Sequence, residues 1–198
     1  MLTCILLTAG LSARFGSPKA LANFKGRAII EHLQEKILTT PIAELIIVTG
    51  ANAAEILPHI FKHEKIKVVY NKDYYLGQTS SFKTGLLHVG AHCSGVMLWP
   101  VDYPAIKADS IITLSRHFLQ KTPHILVPTY QDHKGHPPVF HINLREEFLA
   151  MDNSVGLNML ARKFSEEVTT LPLEDPAILK SFNTREEFEE LKEDGFLI

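Results

Sequence analysis

A three-layer α/β fold around a mostly parallel sheet is what this chain predicts. The opening run Leu2–Leu7 is apolar throughout and has the length of a buried parallel strand. Further apolar runs alternate with helically periodic segments. At 198 residues, 45% hydrophobic and 21% charged, the chain has the content of one compact domain, taken as 1–198. In chain order, strand-like runs occupy Ala43–Thr49, Ile66–Tyr70, Gly95–Trp99 and Ile125–Pro128. Helical periodicity fills about 28–38, 53–62, 80–90 and 108–119 between them, which calls for parallel strands joined by right-handed crossovers. Beyond residue 129 the rhythm loosens. Pro137-Pro138 precedes a short apolar stretch to Ile142, helical pieces follow near 143–150 and 155–163, and a strand is expected over 166–171. The acidic segment Arg185–Asp194 reads as a solvated closing helix.

Composition excludes several classes of function. A formal charge of −2 lacks the basic excess of a nucleic-acid binder, so any polyanion site must be local. Two cysteines, Cys4 and Cys93, make neither a disulfide framework nor a cysteine-rich zinc pattern, which fits a reducing cytoplasm. No apolar run approaches the ~20 residues of a membrane span, and the first residues lack the charged front of a signal peptide.

Chemistry concentrates after the strands, where open parallel sheets bind ligands. The loop Thr8-Ala9-Gly10-Leu11-Ser12-Ala13-Arg14-Phe15-Gly16-Ser17-Pro18-Lys19 combines small residues with two cations. Small side chains let main-chain N–H groups face an anion, and Arg14 and Lys19 stay charged at physiological pH. The order is neither the G-x-x-x-x-G-K-S/T of a P-loop nor the dinucleotide G-x-G-x-x-G. After the fourth strand, Asp102 lies between Pro100 and Pro104. One aspartate acting together with substrate phosphates is enough to hold magnesium, and bracing a turn is the alternative. Asn71 through Ser81 leads into a polar helix N-terminus that suits a ribose, base carbonyl or phosphate, with Thr79 or Ser80 available as a cap. His133, His136 and His141 lie close together in sequence but show no H-E-x-x-H or Cys/His spacing of a zinc site.

The opening loop resembles the signature L-x-x-G-x-S-x-R-F/M-G-x-x-K of the MobA-like nucleotidyltransferases. Four later elements resemble that family in order. Pro100-Val101-Asp102-Tyr103-Pro104 matches P-x-D-x-P, and Asn71 to Ser81 is similar to N-x-x-x-x-x-G-M-S-S-S with Gln78 in place of Met. Gly135-His136-Pro137-Pro138-Val139-Phe140 is similar to G-H-P-V/L-x-F, broken by an extra proline, and Asn183-Thr184-Arg185-Glu186 approximates D/N-T-P-E without its proline. The resemblance implies a Rossmann-like nucleotide-diphospho-sugar transferase fold of GT-A type. It implies that Thr8, Ala9, Gly10, Leu11, Ser12, Arg14 and Lys19 wrap a nucleoside triphosphate, with Asn71, Gly77, Gln78 and Ser81 around base and ribose. Tyr103, Gly135 and His136 would border the acceptor, Asp102 would hold Mg²⁺, and Asn183 would be a second, weaker metal ligand or, alternatively, the N-cap of the final helix. Arg14, Lys19 and Asp102 would be the catalytic set.

Within the family, Leu7-Thr8-Ala9-Gly10 is similar to the L-A-A-G opening of CTP users, pointing to the molybdenum-cofactor cytidylyltransferase type. The implied reaction transfers CMP to a phosphorylated acceptor such as the molybdenum cofactor and releases pyrophosphate. Two other readings remain open: a nucleotidyltransferase for a sugar phosphate or other small phosphorylated acceptor, and a nucleotide-binding module without turnover.

Overall fold

A computed structural model describes residues 1–197. Its centre is a sheet whose strands run in the order β10-β7-β9-β6-β1-β4-β5. These strands are β1 (Leu2–Leu7), β4 (Glu44–Thr49), β5 (Ile66–Tyr70), β6 (Gly95–Pro100), β7 (Ile125–Tyr130), β9 (Val139–His141) and β10 (Val168–Pro172). A small hairpin, β2 (Asn23–Phe24) with β3 (Arg27–Ala28), stands apart, and β8 (His133–Lys134) adds to β7. The helices are α1 (Ile29–Leu38), α2 (Ala53–Ile56), α3 (Gln78–Leu86), α4 (Ala108–Lys121), α5 (Arg145–Ala150), α6 (Asn158–Lys163) and α7 (Arg185–Glu193).

The strands read as continuous apolar runs because helices cover both faces of the sheet. β1 and β6 are buried at every position. On one face α1 contributes Ile29, Ile30, Leu33 and Ile37, a one-sided helical spacing, and α4 adds Ile111, Leu114 and Phe118. On the other, Phe82 and Leu86 of α3 meet Phe148 of α5 and Leu160 of α6. The three layers are therefore two helical layers around one sheet.

β1 pairs in parallel with β4 and with β6, and β4 pairs in parallel with β5. From β1 the chain builds outward through β4 and β5, then returns to place β6 on the opposite side of β1. The boundary between β1 and β6 is thus the switch point, where the loops leaving two adjacent strands diverge and open a crevice.

The structure differs from the sequence reading in three places. The helix expected over 53–62 is a single turn, α2, followed by a 3₁₀ turn over Leu57–His59, since Pro58 supplies no N–H to carry the helix on. The short apolar stretch before Ile142 is β9, which inserts antiparallel between β6 and β7. The β2–β3 hairpin turns through Lys25 and Gly26, both at positive φ, a backbone that no strong turn dipeptide announces. No described helix is long and apolar enough to cross a membrane.

Candidate active site

A cavity of about 360 Å³ opens at the carboxyl ends of β1, β5 and β6. The residues after β1 form its floor and one wall, from Thr8 to Arg14 with Lys19 and Ala20. The segment after β5 gives Tyr74, Tyr75, Gly77, Gln78 and Ser81, the turn after β6 gives Val101 and Asp102, and the chain before α7 gives Asn183.

Local chemistry explains how the opening loop holds its shape. Ser12 takes a left-handed backbone at φ 53°, and its carbonyl accepts from the N–H groups of Phe15 and Gly16 at 3.0 and 3.1 Å. Its hydroxyl accepts from the Lys19 N–H at 3.2 Å, closing the loop on itself. Phe15 points inward and packs edge-on against Phe182 and Phe188, with ring centroids 5.3 and 6.0 Å away. That aromatic cluster ties the loop to the C-terminal segment. The Phe182 N–H donates to the Asp102 carbonyl at 3.1 Å, which brings Asn183 to the same point.

Lys19 is the centre of the charged network. Its Nζ donates to Asp102 Oδ2 at 3.1 Å and to Asn183 Oδ1 at 2.9 Å. Arg14 Nη2 donates to the same Asn183 Oδ1 at 2.9 Å. The Lys19 and Asp102 side chains are 13% and 23% exposed, so their attraction is screened less than that of a surface pair. Asp102 Oδ1 is shielded from solvent and accepts no hydrogen bond. A shielded carboxylate oxygen without a donor is costly, and a hard cation relieves that cost, so Asp102 fits a divalent metal ion.

Asn183, which the sequence suggested as a second metal ligand, turns its amide oxygen toward Lys19 and Arg14. The oxygen that such a ligand needs is occupied by two cationic donors. Asn71 also departs from its expected place in the base and ribose pocket. It is 2% exposed, donates to the hydroxyls of Ser80 at 2.9 Å and Ser81 at 3.1 Å, and accepts from the Asp73 N–H at 3.0 Å. Asn71 braces the turn behind the pocket wall. Thr8 is similar in part, since its hydroxyl donates to the Val48 carbonyl at 2.9 Å while the residue still lines the cavity.

Tyr103, Gly135 and His136 lie outside the cavity lining. The Tyr103 and His136 rings stack with centroids 4.2 Å apart and planes 24° from parallel. Burial lowers the His136 pKa, opposed in part by the Asp102 charge, so its imidazole is held neutral. Burial raises the Tyr103 pKa, a Ser181 hydrogen bond opposes the rise, and Asp102 adds to it. Two neutral aromatic rings therefore stand beside Asp102. The His136 N–H donates to the Ile178 carbonyl at 2.9 Å.

Sequence reasoning passed over Tyr74, Tyr75 and Gly50. Tyr75 is 67% exposed although it lines the cavity, an unusual place for a large aromatic, and its adjacency to Gly77 was the available signal. Gly77 has φ 97°, which turns the chain from Tyr75 into α3. At Gly50 a Cβ would lie 2.6 Å from Tyr74 Cβ and 2.7 Å from the Ala9 carbonyl, so glycine lets two walls of the cavity approach.

The comparisons agree with this geometry. A Nicotine blue oxidoreductase from Paenarthrobacter nicotinovorans is 31% identical over 153 residues, 72% of each chain. A probable molybdenum cofactor guanylyltransferase from Bacillus cereus is 29% identical over 107 residues, 53% of this chain and 50% of that protein. The match thus spans half the length of the guanylyltransferase. A crystal structure of a Mycobacterium tuberculosis H37Rv protein superposes with a TM-score of 0.84 at 21% identity, covering 97% of both chains, which shows the fold. The MobA-like NTP transferase domain model matches residues 4–168, a span holding the opening loop, Asp102 and the Gly135-His136 turn. Sheet order, switch-point cavity and that match together make the chain a member of the MobA-like NTP transferase family.

Proposed function

We propose that this protein transfers a nucleoside monophosphate from an NTP to a phosphorylated acceptor and releases pyrophosphate. The donor is CTP and the acceptor is of the molybdenum-cofactor kind. One observation carries the reading: Lys19, Arg14 and Asp102 converge at the switch point, with Asp102 Oδ1 left without a donor.

The main-chain loop from Thr8 to Ser12, with the Arg14 and Lys19 charges, is built to bind a triphosphate, and Tyr75 and Gln78 stand where a base can rest. An acceptor phosphate oxygen attacks the α-phosphorus in line. The new P–O bond forms as the bond to the β-phosphate oxygen breaks, and pyrophosphate leaves with the electron pair. Positioning and charge neutralisation supply the catalysis, and no covalent enzyme intermediate is needed. Lys19 and Arg14 offset charge on the phosphoryl oxygens. Asp102 would hold Mg²⁺, which when bound adds charge neutralisation at the phosphates. The stacked rings of Tyr103 and His136 offer the acceptor a neutral aromatic wall beside Asp102.

The Leu7-Thr8-Ala9-Gly10 opening supports CTP. The guanylyltransferase relative supports a second reading with GTP. Thermal shift with CTP, GTP, ATP and UTP, with and without Mg²⁺, separates the two, and NADH and NADPH test a redox nucleotide, as the oxidoreductase relative suggests. Pyrophosphate release with a pterin or sugar phosphate acceptor then follows turnover. Stabilisation by CTP with Mg²⁺ is expected. Absence of a shift with every NTP refutes the proposal.

A further inference from the structure

Asn183 uses the two ends of its amide differently. Oδ1 accepts from Lys19 Nζ and Arg14 Nη2, each at 2.9 Å, which occupies both lone pairs and fixes which end of the amide is oxygen. Nδ2 donates to no group among the described residues, and Asn183 lines the cavity. The residue is held from behind. Its own N–H donates to the Glu187 carboxylate, and fully buried Phe182 precedes it.

Lysine and arginine side chains have the most rotamer freedom to lose when a ligand orders them. A carboxylate at position 183 would gather both, but its charge would cancel much of their pull on a polyanion. A neutral amide gathers them and leaves the charge intact. The contacting side chains Lys19, Arg14, Asp102 and Asn183 thus keep a net positive charge facing the cavity.

We propose that Asn183 is a positioning residue for polyphosphate and not a metal ligand: Oδ1 clamps Lys19 and Arg14 together, and Nδ2 adds a neutral donor toward the phosphate chain. The inference rests on the nucleotidyl-transfer reading and specifies how this chain binds the triphosphate. A positioning role moves polyanion affinity without moving metal affinity, whereas a ligand role does the reverse.

Titration calorimetry of wild type, Asn183→Ala and Asn183→Asp tests this with two probes, sodium tripolyphosphate in EDTA and Mn²⁺ without nucleotide. For Asn183→Ala, tripolyphosphate affinity is expected to fall tenfold or more while Mn²⁺ affinity stays within threefold of wild type. For Asn183→Asp, the cations stay gathered, yet tripolyphosphate is expected to bind at least tenfold more weakly, because the added carboxylate cancels much of their pull. In turnover, Asn183→Ala raises KM for the NTP more than it lowers kcat. The clamp is overturned if Asn183→Ala weakens Mn²⁺ tenfold, or if either variant binds tripolyphosphate as wild type does. Should Asn183→Ala fail to fold, Asn183→Ser, whose short hydroxyl cannot reach both cations, carries the same two expectations. A wild type that binds CTP with Mg²⁺ but no tripolyphosphate in EDTA overturns the clamp alone. One that binds neither removes the nucleotide reading beneath it.

Discussion

Replacing Lys19 by Met removes one charge from a pair whose partner has nowhere else to turn. In the folded protein Nζ is 3.1 Å from Asp102 Oδ2, and Asp102 Oδ1 already lacks a donor, so Lys19→Met leaves both carboxylate oxygens unpartnered. Two unit charges at that separation attract by about 5 kcal/mol at an effective dielectric near 20, and desolvation offsets much of it. A charge-assisted hydrogen bond nets about 1.5–3 kcal/mol, and Lys19→Met is expected to lose close to the upper figure. Asp102→Asn is expected to lose less, because an amide oxygen still accepts from Lys19. The double variant, with neither charge, should regain most of what Lys19→Met lost. Activity should behave in the opposite way. Both singles and the double lose on the order of 10²-fold or more in pyrophosphate release, since neutralisation at the phosphates is gone in each. Thermal denaturation gives the stability cycle, with about 2–4 °C per kcal/mol for a chain of this size. Near wild-type turnover in either single refutes the catalytic assignment. Losses that simply add in the double, with coupling below about 0.5 kcal/mol, refute the energetic pairing.

Four more outcomes follow from other parts of the structure. Burial lowers the Lys36 pKa from 10.5 to about 8 while its Nζ donates to the Pro104 carbonyl at 2.7 Å. Between those pH values the unfolded chain binds more protons than the folded one, so stability should rise with pH by up to about 3 kcal/mol, a slope that Lys36→Met removes in urea titrations at pH 7.5 and 10.5. Phe182→Ala should cost about 3–5 kcal/mol in the same assay, with loss of NTP binding, because the Phe182 ring packs on Phe15 and Phe188 and so holds the opening loop against the segment that carries Asn183. Gly50→Ala forces Ala9 and Tyr74 apart and should destabilise by about 1–3 kcal/mol while raising KM for the NTP, and an unchanged KM would show that the approach is not required. Burial raises the Cys4 thiol pKa well above its ordinary range, so a thiol reagent should titrate the half-buried Cys93 in the native protein and Cys4 only after unfolding.

The parallel strands were legible because burial on both faces writes each as an unbroken apolar run, and β4, β5 and β6 begin or end within a residue of where those runs do. β9 was not. Three residues carry no periodicity, and what makes Val139–His141 a strand is the space between β6 and β7, a tertiary fact. The helix expected over 53–62 shows the opposite error. Apolar spacing there favours a helix, and Pro58 overrides it locally.

At the site, residue types were legible and the assignment of individual atoms was not. Arg14, Lys19 and Asp102 are marked in the sequence by charge beside strand ends, and the switch point between β1 and β6 is what makes residues 19 and 102 neighbours. Asn71 and Asn183 carry the same side chain, and sequence alone allows either to face a ligand. Asn71 spends both donors on Ser80 and Ser81 and one lone pair on Asp73, and at 2% exposure it lies outside the cavity lining. Asn183, which lines the cavity, spends its oxygen on two cations, and its Nδ2 donates to no group among the described residues. Hydrogen-bond partners therefore separate a buried brace from a residue that lines the cavity, and they lie as far as 169 positions away in the chain. The same accounting sets Asp102 apart: one oxygen accepts from Lys19 and the other has no donor, so this carboxylate keeps an acceptor position where the Asn183 oxygen already accepts twice.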